Sequence, residues 1–162
     1  MPDKIKLLIV DDEVKFLDSI ARRLELRGFD VTKAINGMEA IEATRKDKFD
    51  LALLDLKMPG MDGKEVLEIL KKEHKFLEVI ILTGHGSMDS AVECTKLGAF
   101  SYLPKPYELE KLLEILEQAY KARLEKKFRL DEVRMQKLAK LAAGSSALGI
   151  LREMQKLDDE EK

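Results

Sequence analysis

FDLALLDLKMPGMDG, residues 49–63, is the stretch on which the rest of the chain is organised. Within it LALL (51–54) is apolar, too short for a helix and bounded by turn residues, which predicts a buried strand. Asp55 stands at the end of that strand. A carboxylate followed at once by Met58-Pro59-Gly60 and a fresh helix start, with Asp62 as N-cap and Glu65 three residues on, is a displayed carboxylate rather than a strand interior. Asp55 is therefore the expected reactive centre.

Outward from this stretch the same unit recurs. Towards the N-terminus, IKLLIV (5–10) predicts a strand followed by Asp11, Asp12 and Glu13, then a helical stripe through Val14, Leu17, Ala21 and Leu24 that Gly28 stops. A weaker strand over 30–34 leads to an N-cap pair, Asn36 with Glu39, and a helix through Ala40, Ile41 and Ala43. Towards the C-terminus come a helix with Val66, Leu67, Ile69 and Leu70, a strand over 79–82, and the loop 83–86. A helix over 87–97 ended by Gly98, a brief strand over 101–103, and a long helix from about Glu108 complete the pattern. Five βα units with continuously apolar strands predict an α/β doubly wound fold, a five-stranded parallel sheet with helices on both faces.

The last helix does not stop where a fifth unit should. Leu109, Leu112, Leu113, Leu116 and Tyr120 suffice to cover the sheet, yet Leu124, Phe128, Met135 and Leu138 recur beyond them at helical-seam spacing. The chain divides accordingly into residues 1–121, a C-terminal helical extension over 122–142 suited to a coiled coil, and a short amphipathic piece with an acidic tail over 143–162. Residues 121–140 hold eight Lys or Arg against three Asp or Glu, which a solvated helix face explains.

With 162 residues, 45% apolar and 37% charged, and a net charge of -2, the chain can bury one real core. No apolar run approaches the ~18 residues of a membrane span, and residues 1–6 lack a secretory core, so a cytoplasmic protein without membrane partners is expected. Cys94 is alone and reads as a small buried hydrophobe.

In an open parallel sheet, ligands bind beyond the carboxyl ends of the strands. Asp11 and Asp12 follow the first strand, Asp55 the third, Thr83 the fourth, and Lys105 lies two residues past the fifth. Three crowded carboxylates require a cation, and an all-oxygen cluster suits Mg²⁺. A carboxylate nucleophile, a hydroxyl, an ammonium and a divalent cation together supply what phosphoryl transfer needs, and the product would be an aspartyl phosphate on Asp55.

VDDE (10–13), LLDLKMPGMDG (53–63), ILTGHG (81–86) and YLPKP (102–106), in that order, resemble the receiver domain of bacterial two-component response regulators over residues 4 to about 121. The resemblance implies a flavodoxin-like strand order 2-1-3-4-5, phosphorylation of Asp55 by a sensor histidine kinase, and phosphorelay signal transduction. It implies Mg²⁺ held by Asp12, Asp55 and the backbone carbonyl of Lys57, with Asp11 helping through water. It further implies that Thr83 and Lys105 bind the phosphoryl group, that Lys105-Pro106 is cis, and that Thr83 and Tyr102 switch the face formed by the last two helices and the strand between them. On this reading the protein is a phosphoacceptor, with self-catalysed phosphotransfer and autodephosphorylation, rather than an enzyme.

The wording of 84–107 most resembles receivers of NtrC-type activators, which carry an AAA+ ATPase and a DNA-binding helix-turn-helix as well. No G-x-x-x-x-G-K-[ST] loop occurs here, although GSSALGILREM (144–154) faintly resembles the opening of such an ATPase, so a truncated receiver fragment of an activator is the alternative. A haloacid-dehalogenase-type phosphohydrolase would need an aspartate where Lys57 stands. A flavin carrier would need a hydroxyl- and glycine-rich loop where Asp11-Asp12-Glu13 would repel the anion. Direct nucleic-acid binding through 121–140 lacks helix-turn-helix spacing and aromatic interleaving. The loop Thr83-Gly84-His85-Gly86-Ser87 reads as a hinge with Ser87 as helix cap, and His74 as a solvated residue closing a helix. The apolar seam of the extension predicts a weak, salt-sensitive homodimer.

Overall fold

A computed structural model of the chain describes residues 4–84, 88–144, 152 and 155–156. The order is β1 (Lys6–Val10), α1 (Val14–Leu26), β2 (Asp30–Ala34), α2 (Gly37–Lys46), β3 (Leu51–Leu54), α3 (Gly63–Glu73), β4 (Glu78–Thr83), α4 (Met88–Lys96), β5 (Ser101–Pro104) and α5 (Leu109–Gly144). All strand pairs are parallel and lie in the order β2-β1-β3-β4-β5. This is the expected doubly wound, flavodoxin-like sheet.

Strand side chains alternate between two cores because successive residues point to opposite faces. Leu8, Val10, Ala52, Leu54, Val79 and Ile81 pack beneath α2, α3 and α4. Leu7, Ile9, Leu51, Leu53, Ile80 and Leu82 pack beneath α1 and α5. Both faces of β3 are buried throughout, so the run LALL needs no polar alternation. Truncating one of the fully buried leucines, such as Leu67, to alanine would cost about 2–5 kcal/mol.

The helix ends follow the local chemistry. Asn36 Oδ1 accepts from the Glu39 amide at 2.9 Å while Glu39 Oε2 accepts from the Ile35 amide at 2.8 Å, so the expected N-cap pair forms. Asp62 Oδ1 accepts from the Lys64 amide at 3.1 Å. Gly28, just past α1, has φ of 95°, a left-handed value that glycine adopts without strain. In α1 the buried residues are Leu17, Ile20, Ala21 and Leu24, whereas Val14, expected in that stripe, is exposed. Val14 opens the helix, before its inward face reaches the sheet.

Beyond the sheet, α5 continues for 36 residues in all, about 54 Å at 1.5 Å per residue, roughly three times the length of a strand here. Its middle is fastened to the N-terminal edge of the sheet. Arg123 Nε donates to Asp50 Oδ1 at 3.0 Å and Arg123 Nη1 to the Phe76 carbonyl at 2.7 Å, while Lys126 Nζ donates to the buried Glu78 at 2.6 Å. Asp50 Oδ2 also accepts from the Lys6 amide at 2.8 Å.

Candidate functional site

The rim is built by extending the strand ladder by one residue. Asp11 N donates to the Ala34 carbonyl at 3.1 Å, Asp55 N to Val10 at 3.0 Å, and Lys105 N to Thr83 at 3.0 Å. Each of the three charged side chains therefore leaves a backbone that is still pinned to a neighbouring strand, and all leave on the same edge. Position follows from register, since Val10 is level with Leu54, Leu54 with Ile81, and Thr83 with Pro104.

Lys105 Nζ donates to Asp11 Oδ2 at 2.7 Å and stands 4.0 Å from Asp55 Oδ2 and 4.0 Å from Glu13 Oε1. Asp11, Asp55 and Thr83 are buried. Asp12, the more open member, completes a group with Asp11 and Asp55 in which one oxygen of each lies within 4.8 Å of the others. Three carboxylates facing one nearby ammonium leave an excess of negative charge in a largely water-excluded rim. A hard divalent cation with oxygen ligands fits that donor set. Lys57 lies in the turn after β3, where its amide donates to Asp55 Oδ1 at 3.4 Å.

The turn itself is drawn tight by Gly63, whose amide donates to the Leu56 carbonyl at 2.9 Å. A Cβ there would lie 2.4 Å from the Leu56 backbone, so the loop beneath Asp55 closes only because residue 63 has no side chain. Lys105-Pro106 is cis, as the resemblance implied.

Tyr102 on β5 is half-buried against the core beneath α4, with its hydroxyl buried and unpartnered among the described residues. Burial pushes its phenol up from the ordinary value. His85 and Ser87, singled out in the loop after Thr83, lie outside the described residues. His74 is not solvated as expected. It closes α3 half-buried with Nε2 sequestered, and burial pushes its imidazole down.

One neighbour of the site was not singled out from the sequence. The Phe16 ring lies with its centroid 3.8 Å from Lys105 Nζ and meets Tyr107 edge-on at 6.2 Å. The cation–π contact backs the ammonium against the carboxylates. Burial raises the Tyr107 phenol to about 12, so this neighbour stays neutral. Phe16 lies at the margin of the apolar stripe of α1, one turn before the buried Ile20, and packs against the same core.

Residues 7–117 match the response regulator receiver domain family. Among curated proteins, the chain is 39% identical over 111 residues to the DNA-binding transcriptional regulator NtrC of Escherichia coli K12, covering 68% of this chain and 24% of that one. It is 38% identical over 117 residues to the transcriptional regulatory protein ZraR of Klebsiella oxytoca, covering 72% and 26%. The chain thus spans about a quarter of the length of these relatives. Among solved structures, a CheY-like receiver domain protein from Methanospirillum hungatei superposes with a TM-score of 0.73 at 32% identity, over 76% of this chain and 98% of that one. The NtrX receiver domain of Brucella abortus gives 0.68 at 32% identity, over 71% and 98%. No helix among the described residues is long and apolar enough to cross a membrane. The sheet order, the acidic rim with its lysine, and these likenesses converge: the chain belongs to the response regulator receiver domain family, phosphorelay modules that interact with histidine kinases and bind Mg²⁺ in an acidic pocket.

Proposed function

We propose that Asp55 accepts a phosphoryl group from a sensor histidine kinase in the cytoplasm, and that its phosphorylation switches the α4-β5-α5 face to control a partner or dimerisation. The observation that carries this is Lys105, held 2.7 Å from Asp11 and 4.0 Å from Asp55 at the end of a parallel sheet. An Asp55 oxygen attacks phosphorus, the O–P bond forms as the N–P bond of the phosphohistidine breaks, and the departing imidazole keeps the electron pair. Thr83 donates its hydroxyl to a phosphoryl oxygen and Lys105 turns its ammonium from Asp11 to the same group. Asp12, Asp55 and the Lys57 carbonyl, with Asp11 through water, would hold Mg²⁺, which when bound offsets charge on the phosphoryl oxygens. Water later attacks the acyl phosphate, returning the carboxylate and releasing phosphate. The protein is in this sense a self-acting phosphoacceptor rather than an enzyme for external substrates.

Transmission runs through Thr83 and Tyr102, which sit on adjacent strands beneath α4. We divide the chain into a receiver over 1–121, an extension over 122–142 and a tail over 143–162. Leu124, Phe128 and Met135 are exposed on the extension, with Leu138 half-buried at their margin, and supply the seam of a weak homodimer. A second reading, a receiver fragment of a DNA-binding activator, is favoured by the quarter-length match to NtrC.

A small acyl phosphate with Mg²⁺ tests the acceptor. One phosphoryl group should appear by mass spectrometry, vanish in Asp55→Asn, and fail to form in excess chelator. Unchanged labelling of that variant overturns the assignment. Light scattering with and without beryllofluoride tests the seam, and a monomer at every concentration removes it.

A further inference from the structure

At the N-terminal edge of the sheet, a cavity of about 420 Å³ opens between the turn before β3, the turn between α3 and β4, and α5. Phe49, Phe76 and Leu77 give it apolar lining, and Lys48, Lys75 and Lys127 bring three ammonium groups to it. That volume lies within the roughly 300–1,000 Å³ of small-molecule sites. The other charged lining groups already have partners. Arg123 donates to Asp50 and to the Phe76 carbonyl, and Glu73 accepts two bonds from Arg45 at 3.0 and 2.7 Å. Glu73 is therefore committed outside the cavity, and Lys48, Lys75 and Lys127 form no ion pair among the described residues. Lys126, next in sequence to Lys127, is by contrast paired with Glu78. His74 also lines the cavity, but burial pushes its imidazole down, so it adds no charge at neutral pH.

We propose that this cavity binds a small organic phosphate of the nucleoside diphosphate class, with its phosphates on Lys48, Lys75 and Lys127 and its flat body against Phe76. Three like charges gathered round one hollow repel one another, and an anion there relieves all three at once. A single carboxylate brings too little charge for three lysines on three separate segments, whereas a diphosphate spreads its charge over several oxygens. The lining is not only basic. Phe76 is half-buried, with Phe49 and Leu77 buried behind it, and Lys75 Nζ stands 5.8 Å from the Phe76 ring centroid, so cation and aromatic surface are offered side by side. A bare inorganic anion would leave that surface uncovered, and a planar base would cover it. The Asp11, Asp12 and Asp55 rim, at the other end of the sheet, has the opposite sign of charge and repels the same ligand unless a metal is bound. The site is thus separate from phosphoryl acceptance and stands whether or not Asp55 is phosphorylated.

ADP in excess chelator, which keeps metal from the acidic rim, tests the site on the full chain by calorimetry and amide NMR. Binding should saturate, with shifts at the amides of Phe49, Phe76 and Leu77 and none at Asp11, Asp55 or Lys105. Lys75→Gln with Lys127→Gln should weaken it at least about tenfold. Lys137→Gln with Lys140→Gln removes the same charge from α5 outside the cavity and should change it less than about twofold. Inorganic pyrophosphate should bind at least about fivefold more weakly than ADP. No saturable binding by about 5 mM ADP, equal losses in the two double variants, or shifts confined to the acidic rim overturns the site. Pyrophosphate binding as tightly as ADP overturns the contact with Phe76, and with it the class of ligand.

Discussion

The two ends of the sheet bury charge in opposite ways. At the N-terminal edge, each buried or half-buried carboxylate has its own cation: Arg123 for Asp50, Lys126 for Glu78, with the Phe76 carbonyl and the Lys6 amide taking the remaining valences. At the C-terminal edge, Asp11 and Asp55, clustered with Asp12, share Lys105, which also lies near Glu13. Matched pairs with completed hydrogen bonding hold a helix in place, whereas an unmatched cluster holds free energy that a cation or phosphoryl group can release. The same sheet therefore has an end with matched carboxylate charges and an end with unmatched ones, told apart by counting partners rather than by burial.

That contrast can be broken from either side. The largest effect is expected at the matched end: Arg123→Ala leaves Asp50 and the Phe76 carbonyl short of a donor and should lower stability by about 3 kcal/mol in urea unfolding. Glu78→Gln, which strands the Lys126 contact, should cost about 2 kcal/mol. At the unmatched end the sign reverses. Asp55→Asn should raise stability by about 1 kcal/mol without Mg²⁺, and the gain should shrink as Mg²⁺ is added to both proteins. A loss of stability there would erase the distinction. The smallest effect is the pH response of His74. Its folded pKa lies below its unfolded value, so the unfolded chain takes up the proton first, and stability is full above about pH 6.5 and declines as pH falls from there. In His74→Gln that part of the slope, followed by thermal unfolding from pH 7.5 to 5.5, should disappear.

Most of the sheet was legible because its signals are local. An apolar run such as LALL, a cap pair such as Asn36 with Glu39, and a glycine such as Gly28 each act within a few residues, and their sum dictates the βα alternation. Asp11, Asp55 and Lys105 could be brought together from sequence for a related reason: all follow strands, and parallel register carries strand ends to one edge. Phe16 escaped because its partner is 89 residues away and its place one turn before Ile20 reads as ordinary helix packing. Arg123 and Lys126 escaped because they look like the solvated basic face around them, and only the fold brings Asp50 and Glu78 beneath them. Of the residues read as a seam, Leu124, Phe128 and Met135 are exposed and Leu138 is half-buried, a difference that heptad-like spacing alone does not give.

The length of α5 past its last fastening has a mechanical consequence. From Lys126 to Gly144 the helix runs 18 residues, about 27 Å of continuous rod at 1.5 Å per residue. A rotation of about 5° at the sheet would sweep its far end through more than about 2 Å, the distance by which neighbouring helices slide in many signalling transitions. The pivot lies at Arg123 and Lys126, across the whole sheet from Asp55, so a rotation of the helix too small to alter packing at its fastening is amplified by leverage alone at its tip.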